Sequence, residues 1–108
     1  MQRPMVRQGD VLLIPVATLP AGAAQKPRDQ GRVVLAYGEV TGHAHVVQSD
    51  AEAVEAFLAD HNGQTFLSAP AGSRVVHEEH DAIPLEGVYR VVRQREWTDD
   101  DEPRQVAD

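Results

Sequence analysis

The sequence predicts an all-β fold, a small single-domain β-barrel or sandwich. The 108 residues include fifteen valines, mostly in short apolar runs, and β-branched residues favour strands over helices. Glycine and proline separate these runs at close spacing, which is typical of sandwiches and barrels. Asn62-Gly63 stands between two apolar runs, and Asn-Gly is the strongest short-range signal for a β-hairpin.

The first strand is expected at Val11–Val16, directly after the turn signal Gln8-Gly9-Asp10. Pro15 cannot donate a backbone hydrogen bond, so the end of this strand should lie at an edge or a bulge. Residues 18–30 contain Pro20, Gly22 and Pro27, with Gly31 just beyond, and no helical period, so a long loop is predicted there. Arg32–Val47 is predicted to form one long central strand, bent at Gly38 or Gly42.

Residues 49–62 allow two interpretations. Ser49 with Glu52 would make a capping box, and the alanines that follow favour a helix. The runs Val54–Ala59 and Gln64–Ser68 instead flank the Asn-Gly pair, so the hairpin is the interpretation adopted. On that choice His61 belongs to the turn and stays outside any site.

Two further turns and a final strand complete the fold. Ala69–Gly72 and Ile83–Gly87 carry turn residues, and Val88–Trp97 is expected to be the last strand. The chain is predicted to be one β domain over 1–108, with a folded core over 8–97 and an acidic tail over 98–108.

Composition narrows the function classes. The chain has no cysteine, which excludes disulfides, thiolate metal sites and a cysteine nucleophile. Its net charge is −7 with Lys26 as the single lysine, whereas binding to a phosphate backbone requires many cations, so no nucleic-acid partner is expected. Arg90, Arg93 and Arg95 form a local basic patch that could hold one anion, but cross-strand pairing with nearby acidic residues is the favoured interpretation. No signal peptide or membrane segment is recognisable, so a cytoplasmic protein is expected.

Four of the five histidines fall in two short stretches. His43 and His45 are two residues apart, which in a strand places them on one face with backbones roughly 7 Å apart. His77 and His80 follow in the second stretch. If the two stretches are neighbours, these four histidines can converge on one divalent ion.

Carboxylates accompany the second histidine pair. Glu78 and Glu79 are the candidate catalytic residues, as a general base or as groups that orient the ligands. Imidazole suits zinc, nickel and iron, and the adjacent carboxylates also permit manganese. The alternative is a polar cluster without a metal, because histidines in strands often hydrogen-bond a carboxylate at the edge of a core.

Two family resemblances accompany these motifs. The His-x-His on a strand, followed by Pro70-Ala71-Gly72 and a strand with His77, resembles the two-motif pattern of the cupins over residues 38–80. That resemblance implies a small β-barrel with a metal held by histidines and a glutamate. The glutamate expected a few residues after the His-x-His is missing, so His80, Glu78 or Glu79 would substitute for it.

The second resemblance spans nearly the whole chain. The stretches Gln8–Pro15, Gly38–His45, His77–Asp81 and Gly87–Trp97 together are similar to a family of small uncharacterised bacterial proteins. The resemblance implies a self-contained domain and brings no established activity.

The sequence is compatible with two functions. The first is a metal-binding β-domain, including a cupin-like metalloenzyme acting on a small molecule. The second is a non-catalytic binding or assembly module, in which Val11–Ile14 and Val88–Val92 lie at sheet edges and recruit a protein partner or a second copy. A metal-dependent nuclease is a distant third, and the net charge counts against it.

Overall fold

The structure, a computed structural model, describes residues 3–38, 42–49 and 55–94. These residues are all-β, as predicted. The eight strands are β1 (Val6–Gln8), β2 (Val11–Val16), β3 (Ala24–Gln25), β4 (Val33–Tyr37), β5 (Ala44–Ser49), β6 (Phe57–His61), β7 (Gln64–His77) and β8 (His80–Arg93). Among the described residues, no helix has the length and the apolar character needed to span a membrane.

The strands form one sheet that curls into a half-barrel. The main order is β1-β2-β8-β7-β5-β4, and β6 joins β7 and carries the short β3 on its other side. All pairings are antiparallel. β2 and β8 each have neighbours on both sides, so the prediction that Val11–Ile14 and Val88–Val92 lie at sheet edges is wrong.

The β7–β8 hairpin forms the middle of the sheet, with fourteen residues in each strand. The first half of β7 pairs with β6, and its second half pairs with β5. A register shift between Ala69 and Ser73 separates the two halves. Such bulges bend a strand and increase its twist, which lets one strand serve two neighbours.

The β7–β8 hairpin shows that two of the turn predictions are wrong. Ala69–Gly72 and Ile83–Gly87 lie inside β7 and β8, not between strands. Gly72 and Gly87 have positive φ angles of 88° and 117°, a conformation that glycine adopts at bulges without steric cost. Glycine and proline therefore mark the bend in the hairpin, and the true turn is formed by the two residues after His77.

The predicted long strand over Arg32–Val47 is a hairpin instead. β4 and β5 pair with Tyr37 opposite Ala44, and the Gly38 amide donates to the His43 carbonyl at 2.9 Å. Gly42 has a φ of 88°, which is compatible with reversal of the chain. Residues 39–41 of this connection lie outside the described part of the chain.

The Asn-Gly hairpin is confirmed. His61 pairs with Gln64, and the two residues between them have φ angles of 51° and 77°, as a two-residue turn with both centres left-handed requires. Ser49 ends β5, while Glu52 and Val54 lie outside the described residues. The final strand ends at Arg93, and Trp97 and the acidic tail 98–108 also lie outside them.

The apolar core lies against the curled sheet and draws on almost every strand. Its buried members are Val11, Leu13, Val33, Ala36, Val47, Ala56, Leu58, Leu67, Ala69, Val75, Leu85 and Tyr89. Polar side chains share this interior at one end, where Gln8, Asp10, His45 and His77 are all buried. Buried polar groups are costly unless they are paired, so this end of the sheet is the candidate functional site.

Candidate metal centre

The strand register brings three of the histidines into one row. Val46 pairs with Val76 in the β5–β7 ladder, and continuing that register by one residue places His45 beside His77. His77 pairs with His80 across the turn of the β7–β8 hairpin. Because directly opposed residues in a sheet point to the same face, these three rings share one face.

The curl of the sheet makes the three rings converge. The ring centroids of His45 and His77 are 4.4 Å apart, and those of His77 and His80 are 4.7 Å apart. His45 and His80 are two strands apart, which in a flat sheet means roughly 9–10 Å, yet their centroids are separated by 6.0 Å. The histidines therefore lie on the concave side of the sheet.

His43 joins this group from just outside β5, which begins at Ala44. Its ring meets His77 edge-on with centroids 5.5 Å apart, and its Nδ1 atom lies 3.8 Å from Glu79 Oε1. The structure thus brings the four predicted histidines into one cluster, referred to below as the histidine cluster (His43, His45, His77 and His80).

Glu78 and Glu79 are the two residues of the β7–β8 turn. Glu78 Oε1 accepts a hydrogen bond from the Ala44 amide at 2.9 Å, which ties the turn to the start of β5. This bond, followed by one from its own amide, lowers the pKa of the Glu78 carboxyl. The Glu79 amide donates to His77 Nδ1 at 3.0 Å, while the side chain of Glu79 is largely exposed.

One subset of these side chains has the spacing of a metal site. Single ligand atoms of His43, His77 and Glu78 lie within 4.8 Å of one another. In addition, His43 Nδ1, His45 Nε2 and His77 Nε2 are buried and have no hydrogen-bond partner among the described residues. Buried polar atoms are normally paired, so these three nitrogens call for an explanation.

The buried neighbours of His45 were not found from sequence. Gln8 Oε1 contacts His45 Nδ1 at 2.9 Å, and Asp10 Oδ1 lies 4.0 Å from His45 Nε2. The sequence assigns Gln8 and Asp10 only to a turn, which is correct for the Gly9-Asp10 connection between β1 and β2. Because both contacts span more than thirty residues and depend on the curl of the sheet, no local pattern reveals them.

Burial controls the protonation of His45. Its side chain is fully enclosed, and this desolvation, followed by the neighbouring His77, lowers the pKa of His45 from 6.5 to about 4. Asp10 acts in the opposite direction but is outweighed. His45 is therefore neutral at neutral pH, which is the form that binds metals.

Two other sequence interpretations can be checked here. Arg93 donates to Asp10 Oδ2 through Nε at 2.7 Å and Nη2 at 2.5 Å, so this member of the arginine patch pairs with an acidic residue, which lies in the turn before β2 and not on a strand. Arg95 lies outside the described residues. His61 ends β6, with its ring beside Gly22 and Asn62, away from the histidine cluster as expected.

The fold and the site define a class: a small all-β half-barrel with a buried histidine cluster at one end of the sheet. The model of one family, a domain of unknown function (DUF8820), matches residues 7–94. The chain belongs to this family, which confirms the expected membership of an uncharacterised family. No curated protein and no solved structure matches the chain, and the cupin-like resemblance stays a prediction.

Proposed function

We propose that this protein is a divalent-metal-binding β-domain whose metal centre is built from His43, His77 and Glu78. The observation that carries the proposal is the 4.8 Å grouping of their ligand atoms. Ligand atoms around a zinc ion at bond lengths of about 2.0–2.2 Å lie roughly 3–4 Å apart. Shifts of less than about 1 Å would complete the contacts.

The protonation of His77 shows what metal binding would change. His77 Nδ1 accepts the Glu79 amide hydrogen, so in the neutral ring the proton resides on Nε2. Coordination through Nδ1 would replace this hydrogen bond, and coordination through Nε2 would require Nδ1 to take the proton. In both cases the Glu79 amide loses its acceptor, so this amide reports on metal binding.

The number of protein ligands decides between two kinds of centre. Three protein ligands leave the fourth position of a tetrahedral ion open to water or a small molecule, as a catalytic site requires. A cupin-like metalloenzyme acting on a small molecule belongs to that arrangement, with the exposed Glu79 carboxylate as its general base. A fourth histidine would fill the position and make the centre structural.

Calorimetric titration of the tag-free protein at pH 7.5 with zinc, nickel, iron(II) and manganese tests the proposal. We expect about one ion per chain. Glu78→Gln and His43→Ala should each weaken zinc binding by more than about 100-fold, because even groups that only orient ligands contribute 10–100-fold. His61→Ala removes a histidine outside the cluster and should leave the affinity unchanged.

The Glu79 amide provides an independent measurement. Its ¹H–¹⁵N signal should shift strongly when zinc is added to the wild-type protein and stay in place in the Glu78→Gln variant at the same concentration. A wild-type protein that binds none of the four ions, or that loses zinc only in His61→Ala, would contradict the proposal. The cluster would then be a structural polar network in a non-catalytic module.

A further inference from the structure

We infer that Gln8 is a positioning residue that makes His45 Nε2 the fourth protein ligand of the metal centre. This inference rests on the proposed function, since it adds one ligand to the same site. It identifies the centre as a four-ligand, closed one. Its basis is a chain of hydrogen bonds that fixes which nitrogen of His45 carries the proton.

The amide orientation of Gln8 is determined by its two donors. Gln8 Nε2 donates to the Val75 carbonyl at 3.2 Å and to the Asp81 carbonyl at 2.9 Å. With the amide reversed, Oε1 would face two carbonyl oxygens and neither would receive a hydrogen. Gln8 is 3% exposed, so water does not substitute for these bonds. Oε1 therefore faces His45.

This orientation sets the tautomer of His45. Gln8 Oε1 can only accept, so the 2.9 Å contact requires the hydrogen to be on His45 Nδ1. A neutral imidazole carries one ring hydrogen, which leaves Nε2 with an unshared electron pair. Metal-binding histidines are generally fixed in this way, with the second nitrogen donating to a carbonyl or carboxylate oxygen.

His45 Nε2 lies beside the proposed ligand His77. This nitrogen is buried and has no hydrogen-bond partner among the described residues. The ring belongs to the concave row, with its centroid 4.4 Å from that of His77. Asp10 Oδ1 lies 4.0 Å from Nε2, while Asp10 Oδ2 accepts hydrogen bonds from Arg93. A divalent ion bound by His77 would provide the buried Nε2 electron pair with a partner.

The experiment compares two substitutions at one position. Gln8→Leu and Gln8→Glu both remove the donors to the Val75 and Asp81 carbonyls, but only Gln8→Glu keeps an acceptor for His45 Nδ1. We expect Gln8→Leu to weaken zinc binding by about 10–100-fold and Gln8→Glu to retain most of the affinity. Because both variants lose the hydrogen bonds to these carbonyls, a difference in zinc affinity between them reports on His45 and not on a general effect on folding.

Long-range ¹H–¹⁵N spectra of the imidazole rings give a readout that a purely structural role of Gln8 would not move. In metal-free wild-type protein, His45 should show a protonated Nδ1 and a bare Nε2, and Gln8→Leu should shift the balance towards protonated Nε2. If neither substitution folds, the wild-type spectrum still decides. A protonated Nε2 in the wild-type protein would overturn the inference.

The two proposals fail in different ways. If wild-type protein binds no zinc, the metal centre itself is refuted and the fourth ligand with it. If wild-type protein binds zinc and Glu78→Gln weakens binding, but Gln8→Leu binds as the wild type does, only the role of Gln8 and His45 is refuted. Equal losses in Gln8→Leu and Gln8→Glu would also contradict it, because the acceptor would then be irrelevant.

Discussion

Acidification of the metal-free protein should reveal the buried, neutral state of His45. In the unfolded chain this histidine takes up a proton near pH 6.5, whereas in the folded protein its pKa is about 4. Between these values the unfolded state binds more protons, so the free energy of unfolding falls as the pH is lowered from 6.5 towards 4. This difference in pKa, at 1.36 kcal/mol for each pKa unit, corresponds to a loss of about 3 kcal/mol in the free energy of unfolding.

Urea denaturation from pH 7.5 to pH 4, with a chelator present, measures this loss. The reference variant is His45→Gln, because its amide does not titrate and can still donate to Gln8 Oε1. Carboxylates present in both proteins contribute equally to the acid sensitivity, so their effect cancels in the difference between the two stability curves. Glu78 is one of them, and because its pKa is lowered, its contribution to stability is lost only as the pH falls below the usual carboxyl range. His45→Gln should therefore lose about 3 kcal/mol less than the wild type over this range.

Two results would refute this reasoning. Parallel stability curves for the wild type and His45→Gln would show that His45 is not buried in its neutral form. His61 lies outside the cluster, so a reduced acid sensitivity in His61→Gln would show that the effect does not come from His45. Residual acid sensitivity shared by all three proteins is expected, since it comes from the common carboxylates.

Three further predictions follow from the fold and the composition. Leu67 is fully buried, so Leu67→Ala should lower the free energy of unfolding by roughly 3 kcal/mol in urea titrations, and a loss below about 1 kcal/mol would contradict its place in the core. Gly63 has a φ of 77° with open space around it, so Gly63→Ala should cost about 1 kcal/mol through the backbone alone; an unchanged melting temperature would refute the left-handed turn. Duplex DNA at physiological salt should bind weakly or not at all, since the net charge is −7; micromolar binding with a steep salt dependence would contradict this.

Local sequence signals predicted the parts of the fold that local physics determines. The Asn62-Gly63 turn was identified because two consecutive left-handed residues favour that pair. The same rules misassigned Gly72 and Gly87, because glycine serves a bulge within a long strand as well as a turn between strands. Whether a glycine lies in a bulge or in a turn depends on how its segment pairs with a partner strand, and the sequence around the glycine does not specify that strand.

In the candidate site too, local sequence predicts some features, whereas others depend on the overall topology. The four histidines could be selected by residue type, and the structure brings their rings together. Their convergence depends on the curl of the sheet, and the contribution of Gln8 depends on β1 approaching β5 although three strands separate them in the sheet. Such contacts follow from the overall topology and leave no periodic pattern in the chain.

Anomalous X-ray diffraction from crystals grown with zinc shows whether the histidine cluster holds a divalent ion. We expect one strong anomalous peak on the concave face of the sheet, about 2.0–2.1 Å from imidazole nitrogens of His43 and His77. A peak found only at His61 or among surface carboxylates, with the cluster free of zinc, would refute a metal centre in the cluster.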